Sequence, residues 1–182
     1  MQKNIAHQFL ILLCLLIVVG CGDQGHPKDD QMLAQFAKHR LELEQLIRMF
    51  KTDKGLGRVG SGFTRPDNPT IIGVSAERIE KYRQLCSVVG AVNCIEGYDA
   101  TYDRLYGSVS EGITEEKVPI WIHISARGLS ISGSGKGFFY SEMPPKSPFK
   151  LVKDLDRISI TRPAGTWLRH IEGPWYLYFD AI

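Results

Sequence analysis

The side chains in this 182-residue chain that could do chemistry are four cysteines, a lysine framed by glycines, scattered histidines and a pair of aspartates. A cysteine sulfur can accept an acyl group, ligate a metal or pair with a second sulfur. Cysteines stand at 14, 21, 86 and 94, with no C-x-x-C and no histidine at ligand spacing from Cys86 or Cys94, so a zinc-type set is excluded. Gly133-Ser134-Gly135-Lys136-Gly137 has the look of a phosphate loop. That loop needs G-x-x-x-x-G-K-[ST] and a helix behind it. Ser130 stands where the first glycine belongs, Gly137 where the hydroxyl belongs, and a strand follows. Nucleotide binding is thereby excluded, and the glycines read as a hairpin turn in which Gly supplies positive φ. His39, His123 and His170 lie in no G-x-S-x-G or H-E-x-x-H context. Asp154 and Asp156, two apart, read as a solvated or capping pair. No catalytic motif and no cofactor site emerges.

The start of the chain carries an address. Lys3 precedes an unbroken apolar run from Phe9 to Val19, and no acid occurs before Asp23. As a helix, 11 residues rise roughly 16 Å, about half of a ~30 Å hydrocarbon core. The run has the length and flanks of a secretory signal rather than of a membrane span. Val18-Val19-Gly20-Cys21 follows directly, then a polar stretch through Pro27. This tetrad resembles the lipobox of bacterial lipoproteins. The resemblance implies cleavage before Cys21, a diacylglycerol on its sulfur and an acyl group on its new amine. Two or more chains make attachment stable. Gly22 rather than Asp after the cysteine resembles the pattern of lipoproteins sorted to the outer membrane, with the folded part facing the periplasm. The layout of the chain also resembles that of small bacterial lipoproteins, a resemblance that transfers no activity. The expected organisation is a signal at 1–20, a tether at 21–28 and one globular domain at 29–182.

Outside the cell interior, Cys86 and Cys94 form an even pair and are expected to close a disulfide; two free thiols are the alternative. The formal net charge of +2, from 22 basic and 20 acidic residues, contains no basic cluster and excludes nucleic acid as a partner.

A domain of this size must position any site with one core. Asp29 or Asp30 can cap a helix beginning near Gln31. Met32, Phe36, Leu43, Leu46, Ile47 and Phe50 form one apolar stripe along it, facing a core, a membrane surface or a partner helix. Residues 55–70 read as a Gly-rich loop, and Ile71–Val74 as a short strand. Ser75 is the expected cap of a second helix with Ile79, Tyr82, Cys86 and Val89 on one face and Gly90 beyond its end. Beyond Tyr98 aromatic residues crowd the chain and strands are expected. Val118 to Ser125 alternates with period two, and Pro119 confines that end to a strand start or an edge. Strands follow at Leu129–Ser132 and Phe138–Ser141. Leu151–Ile160 fits helix or strand, and Thr166–Ile171 with Trp175–Asp180 fits a hairpin around Glu172-Gly173-Pro174. The pattern defines an α+β fold, two N-terminal helices packed on a C-terminal antiparallel β-meander.

Trp121 and His123 share the strand face opposite Ile120, Ile122 and Ile124. An open face makes them a binding patch; a covered one makes them packing. Ser132-Gly133-Ser134-Gly135, with Lys136 beside it, resembles the SGSG loop of lipid-anchored lysozyme inhibitors. That resemblance implies a loop presenting Ser134 and Lys136 to the carboxylates of an extracytoplasmic enzyme. The sequence departs from the family at Lys136-Gly137-Phe138, and the two expected helices have no place in that family's β-barrel. The expected function is thus a lipid-anchored envelope protein that binds or assists an envelope partner without catalysis. Enzyme inhibition through Ser132–Gly137 and an envelope hydrolase are the alternatives; the latter requires His123 or His170 to meet a carboxylate in a concave site.

Overall fold

The computed structural model describes residues 25–97, 119–128, 133–161 and 163–182. Cys21 with the expected lipobox, Val118 and the strand expected at 129–132 lie outside the described residues. None of the described helices is long and apolar enough to cross a membrane.

The chain is α+β, as its patterning requires, but its elements interleave. Helices α1 (Asp29–Lys38) and α2 (Arg40–Thr52) lead into short strands β1 (Arg58–Val59) and β2 (Thr64–Arg65). Helix α3 (Ala76–Val88) and strands β3 (Asn93–Glu96), β4 (Ile120–Arg127), β5 (Ser134–Tyr140) and β6 (Lys150–Leu151) follow. Helix α4 (Leu155–Thr161) and the hairpin β7 (Gly165–Glu172) and β8 (Trp175–Ala181) complete the fold. The expected order of helices followed by a meander is therefore corrected. Strands β1 and β2 lie between helices, α4 interrupts the later strands, and the sheet order is β2-β1-β3-β4-β5-β8-β7-β6. Strand β5 pairs with β8, and β6 joins β7 in parallel.

Local chemistry explains most boundaries. Helix α1 starts at Asp29, two residues before the expected start, because the Lys28 backbone N–H donates to Gln31 Oε1 (2.9 Å). Asp29 and Asp30 sit in the positive first turn. One long helix was expected; it breaks at His39 (φ −114°, ψ 26°). The stripe carries across that break: Met32, Phe36, Leu43, Leu46, Ile47 and Phe50 are all buried in the main core. Full burial of such side chains stabilises by about 1.5–3 kcal/mol each. The strand expected at Ile71–Val74 is instead a 3₁₀ turn, Pro69–Ile72. Pro69 fits its first position, the Asn68 side chain accepts from the Thr70 N–H, and Gly73 ends it at φ 79°. Ser75 caps α3 by accepting from the Arg78 N–H (3.2 Å), and Gly90 follows at φ 70°. Leu151–Ile160 divides between a strand end and a helix, capped where Asp154 Oδ1 accepts from the Arg157 N–H (3.0 Å).

Cys86, near the end of α3, is disulfide-bonded to Cys94 in β3, with Cα atoms 5.2 Å apart. For a closed loop of nine residues the chain-entropy model gives about 2.6 kcal/mol. The paired variant Cys86→Ser/Cys94→Ser should lose that much in urea denaturation; an unchanged midpoint would mean the thiols are reduced in the native protein.

One face of the sheet carries the main core, on which Ile120, Ile122, Phe138, Trp175, Leu177 and Phe179 meet the helices. The other carries a smaller cluster of Phe139, Leu168, Tyr176 and Tyr178, with Trp121 packed against it.

Candidate functional site

Among the described residues no helix roofs the second face. Along it lies a cavity of about 820 Å³ running from Trp121 and His123 to Arg127, Ser134 and Ile182, with Tyr178 and Asp180 also in its lining. Trp121 and His123 both line this cavity, and no described helix lies over them. Trp121 is half-buried, its ring edge-on to Phe139 with centroids 5.2 Å apart.

A bulge at Ile124 shapes this face. Register runs His123↔Gly137 and then Ser125↔Lys136, so Ile124 is the extra residue. His123 keeps its place on the cavity side, and His123, Gly137 and Tyr178 lie in one row across β4, β5 and β8. Gly137 has no side chain, so the Tyr178 ring lies across β5 and its hydroxyl reaches His123 Nδ1 at 2.6 Å. A Cβ at 137 would sit 2.1 Å from the Ile122 carbonyl oxygen and 2.8 Å from Tyr178 Cε1. His123 Nε2 lies 3.1 Å from Glu96 Oε2, and Arg58 Nε lies 3.3 Å from the same oxygen. Neutral His123 therefore holds its proton on Nε2, donating to the carboxylate, and accepts the Tyr178 O–H at Nδ1. Burial raises the Tyr178 hydroxyl well above its ordinary value, and the charges of Asp180 and Glu96 add to the shift. The Tyr178 phenol therefore keeps its proton. Both imidazole nitrogens are engaged, and the chain Arg58–Glu96–His123–Tyr178 holds the ring in one orientation rather than freeing it as a base.

Lys136 and Ser134 are placed otherwise than expected. The turn read at Gly133–Gly137 is corrected: Ser134–Tyr140 is strand β5. Lys136 points to the helix side and is fully buried. Its ammonium lies 2.7 Å from Asp29 Oδ1 and 2.7 Å from Asp156 Oδ1. Asp29 Oδ2 accepts from Arg169 (2.7 Å) and from the Leu155 backbone N–H (2.9 Å). The Asp29 N–H in turn donates to both oxygens of Asp156 (3.0 and 3.1 Å). Helices α1 and α4 thus cap one another at their first turns. Burial raises the Asp29 carboxyl, but the hydrogen bonds from Lys136, Arg169 and Leu155 outweigh it and hold the group below the ordinary carboxylate range. Asp29, Asp154 and Asp156 have the spacing of a cation site, and the Lys136 ammonium supplies the charge there. Lys136 is a structural cation, not a residue offered to a partner.

Ser134 Oγ instead bonds His26 Nε2 (2.8 Å), while His26 Nδ1 bonds Ser125 Oγ (2.9 Å). His170 stands apart, with Nε2 donating to the Gly173 carbonyl (3.1 Å). Sequence reasoning missed Glu96, Arg58, Tyr178 and His26. Gly137 was the available signal for Tyr178, since a glycine within a strand marks a close approach. Nothing in the spacing ties Glu96 or Arg58 to His123, because sheet pairing alone unites them.

Compared with protein-family models, curated proteins and solved structures, the chain matches none.

Proposed function

We propose that this protein is a lipid-anchored envelope binding module whose ligand occupies the Trp121–His123 cavity. The observation that carries the reading is the cavity along the sheet face that no described helix covers, where a half-buried Trp121 and a His123 fixed between Glu96 and Tyr178 line one concave site. Aromatic surface with a few oriented polar groups is the usual makeup of a small-ligand pocket. At its far end Arg127 Nε is buried with no hydrogen-bond partner among the described residues. That donor favours a ligand carrying an acceptor. Attachment through Cys21 and an outer-membrane location with the domain in the periplasm rest on the lipobox resemblance and belong to the same proposal.

Native mass spectrometry of protein purified from its own cells tests the binding reading. A non-covalent adduct is expected on the wild type and should be lost in Trp121→Ala; a bare wild-type mass counts against a resident ligand. Labelling with radioactive palmitate tests the anchor, the label disappearing in Cys21→Ala.

A hydrolase is the second reading, favoured by the His123–Glu96 contact inside a cavity. Against it stand the engagement of both His123 nitrogens and the raised Tyr178 hydroxyl. Inhibition of an enzyme by a Lys136-bearing loop is not proposed, because Lys136 is buried in β5.

A further inference from the structure

The segment expected to be a free tether is fastened to the body from Gly25 onward. His26 reaches across β4 and β5 to Ser125 Oγ and Ser134 Oγ, and its ring stands edge-on to Phe179 with centroids 5.5 Å apart. The neighbouring Gly25 carbonyl accepts from Arg127 (3.2 Å). Four residue steps separate Cys21 from Gly25, a reach of at most ~14 Å. The headgroup layer takes roughly 5–8 Å of that span. A lipid on Cys21 would therefore hold this end of the sheet at the bilayer surface in one orientation. The chemistry of the end suits that place: Arg127 and Lys28 offer cations beside the tether, and Val92 and Ile182 are apolar side chains at 50% and 71% exposure.

We propose that the sheet end clamped by His26 is the surface this protein lays on a phospholipid bilayer. The cavity reaches the same end, since Arg127, Ser134 and Ile182 belong to its lining. It opens beside the headgroups, and its ligand is met at the membrane surface. The proposal rests on the Cys21 anchor.

The test uses the full-length lipidated protein in phosphatidylethanolamine/phosphatidylglycerol vesicles, with nitroxides placed through Ile182→Cys or Leu41→Cys. Leu41 is 74% exposed and lies at the opposite end of the sheet, beside the Arg40–Glu172 pair. The label at 182 should be several-fold less accessible to a water-soluble paramagnetic relaxant than the label at 41. Equal accessibility on vesicle-bound, acylated protein overturns the orientation and leaves the anchor intact. Absence of acyl mass on Cys21 overturns both. In His26→Ala, which removes the bonds to Ser125 and Ser134 and the contact with Phe179, the difference between labels should shrink while the circular dichroism melt stays cooperative. A difference that persists unchanged in that variant overturns the role of the clamp.

Discussion

Lys136→Met is expected to destabilise the protein by about 3 kcal/mol or more, the cost of removing one partner from a buried ion pair. Methionine keeps the unbranched shape and most of the bulk of the side chain, so the loss reports chiefly the ammonium. Without the ammonium, Asp29 retains Arg169, but its Oδ1 and Asp156 Oδ1 are left facing one another with no cation between them. The acid dependence gives a second readout. The wild-type Asp29 carboxyl lies below its ordinary value, because hydrogen bonds led by Lys136 outweigh the upward push of burial. Its stabilisation is complete above the unfolded carboxylate value near pH ~4. It is lost as pH falls through the lower folded value. Met at 136 removes the leading downward influence, and the folded value rises. The gap between wild type and variant, followed by urea denaturation, should therefore be widest at neutral pH and narrow below about pH 4. A gap that stays constant into acid would show that Lys136 acts through packing alone.

Gly137→Val should also cost at least ~3 kcal/mol, the upper end of ordinary overpacking. The atom that blocks a Cβ there is the Ile122 carbonyl oxygen at 2.1 Å, part of the β4 backbone and unable to swing away. The Tyr178 ring must also leave β5, which breaks its hydrogen bond to His123 and reshapes the cavity. Gly135→Ala is the control. A Cβ there would meet the Tyr178 ring and hydroxyl at 3.7 Å, an ordinary contact. Near-wild-type melting for Gly135→Ala beside a large loss for Gly137→Val identifies Gly137 as the seat of the tyrosine. Equal tolerance of both would return the glycines to a turn role.

These two residues mark the boundary of what the sequence could disclose. Periodicity exposed the buried stripe from Met32 to Phe50, the face of α3 and the final hairpin, because a helix or hairpin writes its partners at short, regular intervals. It also placed Trp121 and His123 on one face of β4. The Gly133–Gly137 run misled because glycine and serine serve a turn and a strand crossed by a ring equally well. What distinguishes them is Tyr178, more than forty positions later. Residues 55–70 hid two strands for a similar reason: β1 and β2 have two residues each, too short for any period. The break at His39 has neither proline nor glycine to announce it. The cavity was half legible. Its aromatic and imidazole lie two apart on one strand, whereas Arg58 and Glu96 are brought to His123 only by the pairing of β1, β3 and β4.

The reciprocal capping of α1 and α4 bears on the order in which the fold can be completed. Asp29 is bound by Lys136, Leu155 and Arg169, 107 to 140 positions away, so α1 gains the full set of partners for its leading turn only after Arg169 has been synthesised. Until Lys136 has been synthesised it carries a carboxylate meant for the interior with no cation to meet it. Contacts of such sequence separation form slowly. Assembly of the described fold should accordingly end, rather than begin, at α1.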